Sequence, residues 1–142
     1  TLTSVDNLAT VMQAQGKYDE SETMNRRALA GYGKILGPDH PDTLTSVSNL
    51  ASVLACRGKY NESERANRRA LEAREKILGP GHPDTLTSVD NLATVMEAQG
   101  KYDESETMNR RALTAYGKIL GPDHPDTLTS VSNLASVLAC RG

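Results

Sequence analysis

Leu44, Val47, Leu50, Ala51 and Leu54 follow one another at spacings of three and four, with Thr45, Ser48, Asn49 and Ser52 between them. Apolar positions in that rhythm form one face of an amphipathic α-helix. Pro41 suits the first helical position, where its missing N–H would have no intrahelical partner. Asp42 follows in the first turn, where the helix dipole favours negative charge. Gly58 offers the left-handed residue that closes a helix. The pattern predicts a helix over about 42–56, called helix A. A second pattern runs through Tyr60, Ser63, Ala66, Asn67, Ala70, Leu71, Ile77 and Leu78, then meets Gly79-Pro80. It predicts helix B over about 60–78, with those residues inward. The short turn between the two forces them antiparallel. Gly31, Gly33 and Gly117 lie inside the other B helices, each costing about 1 kcal/mol relative to Ala, so the middle helix B is expected to be the firmest.

The two-helix phrase recurs every 42 residues. T-L-T-S-V begins at Thr1, Thr43, Thr85 and Thr127; G-K-Y recurs at Gly16, Gly58 and Gly100. The units are 1–42, 43–84 and 85–126, with a partial unit 127–142 supplying a terminal helix A over 129–141. Residues 1–58 and 85–142 differ only at Gln13/Glu97, Ala30/Thr114 and Gly31/Ala115. A fixed period of this size means stacked supersecondary units forming a single array, an all-α solenoid in which each unit contacts its neighbours. The phrase is already under way at residue 1, so the chain is expected to be a segment of a longer array.

Composition narrows the function. Sixteen Lys and Arg against 18 Asp and Glu give a net charge of −2, with no Trp and no Phe. A nearly balanced surface does not point to nucleic acid or membrane. No apolar run approaches the roughly 18 residues needed to span a bilayer. The two cysteines, Cys56 and Cys140, occupy one position two units apart. With about 10 Å per stacked unit they lie beyond the roughly 7 Å that a disulfide allows between Cα atoms. They read as half-buried thiols near a helix end in a reducing, cytoplasmic setting.

Candidate chemistry is sparse. His40, His82 and His124 occur once per unit, about 10 Å apart by the same spacing, where zinc needs nitrogen at about 2.1 Å; helix entry explains them better. The Arg pairs 26/27, 68/69 and 110/111 each have a nearby Glu and predict a salt-bridged ridge. No phosphate loop, nucleophile motif or acid–base pair is present, so no catalytic residue, metal or cofactor is expected.

N-L-A in helix A, G-K-Y at the turn, and R-A-L in helix B resemble the tetratricopeptide repeat. The longer unit and the phrase K-I-L-G-P-D-H-P-D-T-L resemble the repeats of kinesin light chain and nephrocystin, and the C-terminal arrays of fungal NLR-like proteins. Val5, Val47, Val89 and Val131 stand where the family often has Trp. Ser21, Ser63 and Ser105 replace its usual Ala, and Asn25, Asn67 and Asn109 replace an aromatic, which thins the packing between helices. The resemblance implies a right-handed superhelix whose helix A faces line a concave groove for an extended peptide or protein segment. The implied groove residues are Thr3, Asp6, Asn7, Thr10 and Gln13; Thr45, Ser48, Asn49 and Ser52; Thr87, Asp90, Asn91, Thr94 and Glu97; and Asn133. Asn7, Asn49, Asn91 and Asn133 form an in-register ladder. A carboxamide both donates and accepts, so it can pair with any peptide bond; the same residues could instead bridge neighbouring helices. Asp6 and Asp90 could favour a basic ligand. The rival reading is a spacer or self-associating rod that stacks end to end, since nearly identical units carry few distinct pockets.

Overall fold

A computed structural model describes residues 2–141, with side chains from residue 5 onward. Among these residues the chain is entirely helical between turns: α1 (Leu2–Ala14), α2 (Tyr18–Leu36), α3 (Pro41–Cys56), α4 (Tyr60–Leu78), α5 (Pro83–Ala98), α6 (Tyr102–Leu120) and α7 (Pro125–Arg141). The odd-numbered helices are the A type and the even-numbered ones the B type. The predicted span of α4 is met, and α3 begins one residue early. The terminal helix starts at Pro125 rather than 129, because Pro125 serves as its first helical residue as Pro41 and Pro83 do in α3 and α5.

The termini are specified locally. The Nδ1 atoms of His40, His82 and His124 accept hydrogen bonds from the backbone N–H of Asp42, Asp84 and Asp126 at 3.0–3.1 Å. Each histidine thus satisfies a donor of the first turn, in keeping with the helix-entry role. At the A–B turn Gly58 has φ 79°. Its N–H reaches the Ala55 carbonyl at 3.0 Å while Lys59 N–H reaches that of Leu54 at 2.9 Å. This is the paired closure in which a left-handed glycine satisfies the last carbonyls. Gly16 and Gly100 repeat it.

The chain forms two compact units, residues 1–73 and 74–142, with the boundary inside α4. In the first unit α2 packs against α1 and α3, and Leu50, Val53 and Leu54 of α3 meet Tyr18 and Leu29 of α2. In the second unit α6 packs against α5 and α7. The buried surface of α3 is wider than the expected stripe, because Thr43, Ser46 and Val53 join Leu44, Val47, Leu50, Ala51 and Leu54.

Several expectations for helix B need correction. Ile77 and Leu78 are exposed, as is Tyr60, whereas Arg74 is buried. The Arg74 guanidinium donates to Ser88 Oγ at 2.8 Å and to the Asp84 carbonyl at 3.3 Å. The Ser and Asn substitutions build a bridge at the helix interface. Ser21, Ser63 and Ser105 donate to the carbonyls of Ala9, Ala51 and Ala93 at 2.7–2.8 Å. The Nδ2 atoms of Asn25, Asn67 and Asn109 donate to those serines at 3.4–3.5 Å.

Candidate functional site

The polar face of the A helices carries the expected groove residues, and the structure divides them into open and occupied groups. In the first unit Thr10, Gln13, Asn49 and Ser52 meet at one cleft of about 590 Å³. Tyr18 and Asn25 of α2 line it too, together with Ala14 and Cys56. Gln13 Nε2 spans from α1 to α3, donating to Ser52 Oγ at 3.1 Å and towards Cys56 Sγ at 3.6 Å. Tyr18 and Asn25 were not anticipated as lining residues. The first marks only a helix start in the sequence, and the second stands where the family pattern has a packing aromatic.

In the second unit Glu97 occupies the position of Gln13. Its Oε1 accepts from Ser136 Oγ at 3.0 Å and lies 3.7 Å from Cys140 Sγ. Asn91 and Asn133 are partly buried. The carboxamides of Asn49 and Asn91 make no hydrogen bond within the described residues. Asn7, Thr45 and Thr87 are exposed. The hydroxyls of Thr10, Thr87 and Thr94 turn back to carbonyls of their own helices at 3.0–3.1 Å. Ser48 is partly buried and its Oγ has no protein partner. The Thr3 side chain lies outside the described residues. Cys56 and Cys140 are free thiols and exposed rather than half-buried.

Asp6 and Asp90 are drawn into the packing. Tyr116 Oη donates to Asp90 Oδ2 at 3.3 Å, while Asp90 Oδ1 is buried without a partner. Burial pushes the Asp90 carboxyl up to about 6, against the Tyr116 hydrogen bond and with the help of nearby Asp126. The same burial and the Asp90 charge push the Tyr116 hydroxyl up to about 12. Asp6 is raised for the same reason, chiefly burial, opposed by the nearby Tyr32 hydroxyl.

On the B helices several charges are paired. Arg26 contacts Glu22 at 2.9 Å and Glu62 at 3.1 Å; Arg68 contacts Glu64 at 2.9 Å and Arg110 contacts Glu106 at 3.0 Å. The ridge therefore has the salt-bridged form expected from the sequence. At Glu22, burial would raise the carboxyl, but hydrogen bonds from Arg26, Lys59 and Arg57 outweigh it and hold the group down at about 2. A second cleft of about 580 Å³ lies between the Pro80-Gly81 loop and α6. Two of its cations, Arg110 and Arg111, are engaged by Glu106 and Glu75. No helix among the described residues is long and apolar enough to cross a membrane.

Helix pairs on a 42-residue period, with a polar face on every first helix, define an α-helical repeat protein. The chain belongs to the tetratricopeptide-repeat family, which matches residues 1–76, 45–118 and 89–142. No curated protein matches it. Among solved structures, a putative kinesin light chain with nearly identical repeats from Podospora anserina is similar at 27% identity and a TM-score of 0.92, over 99% of this chain and 67% of that one. BtubC from P. vanneervenii is similar at 21% identity and a TM-score of 0.89, over 99% of this chain and 56% of that one. The first repeat domain of Spaghetti (RPAP3), bound to the HSP90 peptide SRMEEVD, has 15% identity and a TM-score of 0.67, over 97% of this chain and 93% of that one. The chain thus spans little more than half of BtubC and two-thirds of the Podospora protein.

Proposed function

We propose that the chain is a non-catalytic interaction scaffold that grips an extended peptide or partner segment along the polar faces of its A helices. The first-unit cleft carries this reading, because Thr10, Gln13, Asn49 and Ser52 come together there from two helices. The Asn49 carboxamide makes no hydrogen bond within the described residues, so its donor and acceptor are both left for a peptide bond. The ladder is thereby read as a backbone grip, with Asn7, Asn91 and Asn133 in the same role. The peptide-bound RPAP3 domain supports the ligand class. The ligand is a protein or peptide rather than nucleic acid or membrane, and the setting is cytoplasmic. The repeat phrase alone suggests the sensing array of an NLR-like receptor as the parent.

The test is retention of a random extended-peptide library by the chain and by the Asn49→Ala/Asn91→Ala variant, with circular dichroism as the folding control. Peptides retained by the parent and lost from the folded variant support the grip. Equal retention by both removes the asparagines from the site.

A second reading is end-to-end self-association. Leu8 and Val11 of α1, and Leu128, Val131 and Leu138 of α7, are 40–52% exposed, whereas their equivalents on α3 and α5 are buried. Apolar faces of this kind favour association between copies. A mass that rises with concentration in sedimentation would support it; a constant monomer mass would exclude it.

A further inference from the structure

We propose that the position shared by Gln13 and Glu97 sets the charge of the ligand, so that the second unit takes a cationic Lys or Arg side chain where the first takes an uncharged polar group. This rests on the groove reading above and adds its specificity.

The two positions are structurally equivalent. Gln13 of α1 bridges to Ser52 and Cys56 of α3, and Glu97 of α5 bridges to Ser136 and Cys140 of α7. The first bridge is donated by the carboxamide and the second is accepted by the carboxylate. Hydroxyl and thiol can each donate or accept, so the fold is served equally by either residue. What changes is the charge presented beside the asparagine ladder. Of the three differences between residues 1–58 and 85–142, Gln13/Glu97 is the one on an A helix; Ala30/Thr114 and Gly31/Ala115 lie on B helices.

Glu97 also differs from the acids that form the salt-bridged ridge of the B helices. Glu22, Glu62, Glu64, Glu75 and Glu106 are each paired with an arginine. Glu97 has no cationic partner among the described residues, and its side chain is only partly buried. A carboxylate held in place by hydroxyl and thiol, reachable from solvent and not neutralised, selects a cation by complementary charge. At the first-unit cleft the Gln13 carboxamide offers hydrogen bonds without that preference.

The experiment compares the 142-residue chain with its Glu97→Gln and Gln13→Glu variants on one random-sequence peptide library, sequencing what each retains. The expected result is enrichment of Lys and Arg on the parent. Glu97→Gln should cut it by up to about fivefold, the upper end of what one exposed ion pair contributes, and Gln13→Glu should raise it by a similar factor. High salt should erase the difference between the proteins. Retention with unchanged Lys and Arg content on Glu97→Gln overturns the inference while leaving the groove standing. Retention of nothing by any of the three overturns the groove itself, and this inference with it.

Discussion

The hydroxyl of Ser63 donates to the backbone carbonyl of Ala51 at 2.7 Å, a bond that joins α4 to α3 at a fully buried serine. Asn67 Nδ2 then donates to the same serine at 3.5 Å. A main-chain oxygen inside a helix thus gains a second partner, and the carboxamide gains an acceptor. Where an aromatic would fill this space by volume, the chain fills it with a two-step polar bridge.

Ser63→Ala therefore removes an acceptor from a buried amide as well as one hydrogen bond. The expected loss is about 1–3 kcal/mol, because a buried polar group left without a partner costs more than a bond is worth. Chemical denaturation of the chain and of Ser63→Ala/Asn67→Leu checks this. The double variant removes both polar groups and should recover part of the loss.

Asp90 gives a dependence on pH with an unusual sign. Its carboxyl titrates near 6 in the folded chain against an ordinary value of 3.8. Between those values the folded state binds more protons than the unfolded state, so this group's contribution is present below about 3.8 and is lost as pH rises through 6. Asp90→Asn should raise stability by about 1–2 kcal/mol at pH 7.5, after allowance for partial exposure, and by almost nothing at pH 3.5. Thermal unfolding across that range would show the two curves converging in acid; parallel curves would reject the assignment.

Glu22 acts in the opposite sense. Held at about 2 against an ordinary 4.5, it contributes stability that is fully present above 4.5 and disappears as pH falls through 2. Glu22→Gln should cost about 1–2 kcal/mol at neutral pH, since three cations lose one acceptor. Urea midpoints at pH 7 and pH 2 measure it: the gap between parent and variant should be wide at the first and small at the second.

Two glycines should respond to the same substitution with opposite signs. Gly33 lies inside α2, where an added Cβ meets nothing within 4 Å, so Gly33→Ala should gain about 1 kcal/mol of helix propensity. Gly58 has equally open surroundings but φ 79°, so Gly58→Ala should lose about 1–2 kcal/mol to backbone strain. Melting temperatures of the two variants should move in opposite directions.

The helices were legible because their signals are local: proline and histidine at the entry, glycine at the exit, and apolar spacing between. Burial was less legible where it depends on neighbours. A single amphipathic stripe does not anticipate Thr43, Ser46 and Val53, which are covered because α3 contacts α2 as well as α4. Nor does it anticipate Arg74, whose long side chain reaches past α4 to the Ser88 hydroxyl. Ile77 looked apolar enough to bury and is 52% exposed. At the candidate site the sequence located the polar face. It did not separate Asp6 and Asp90, drawn into the packing by tyrosines, from Asn49, which remains available.

The side-chain hydrogen bonds and ion pairs that join one helix to another close over no more than 43 residues among those described. That reach is one residue more than the 42-residue period. In hereditary terms, an unequal exchange that inserts or removes two whole periods brings back the same residue at nearly every position, since residues 1–58 and 85–142 differ at only three, whereas a one-period exchange sets Gln99 where Arg57 pairs with Glu22. Repeat number can therefore drift by recombination in steps of two with the ion pairs kept, while a step of one keeps the glycine caps and serine bridges but exchanges the Arg57 pairing.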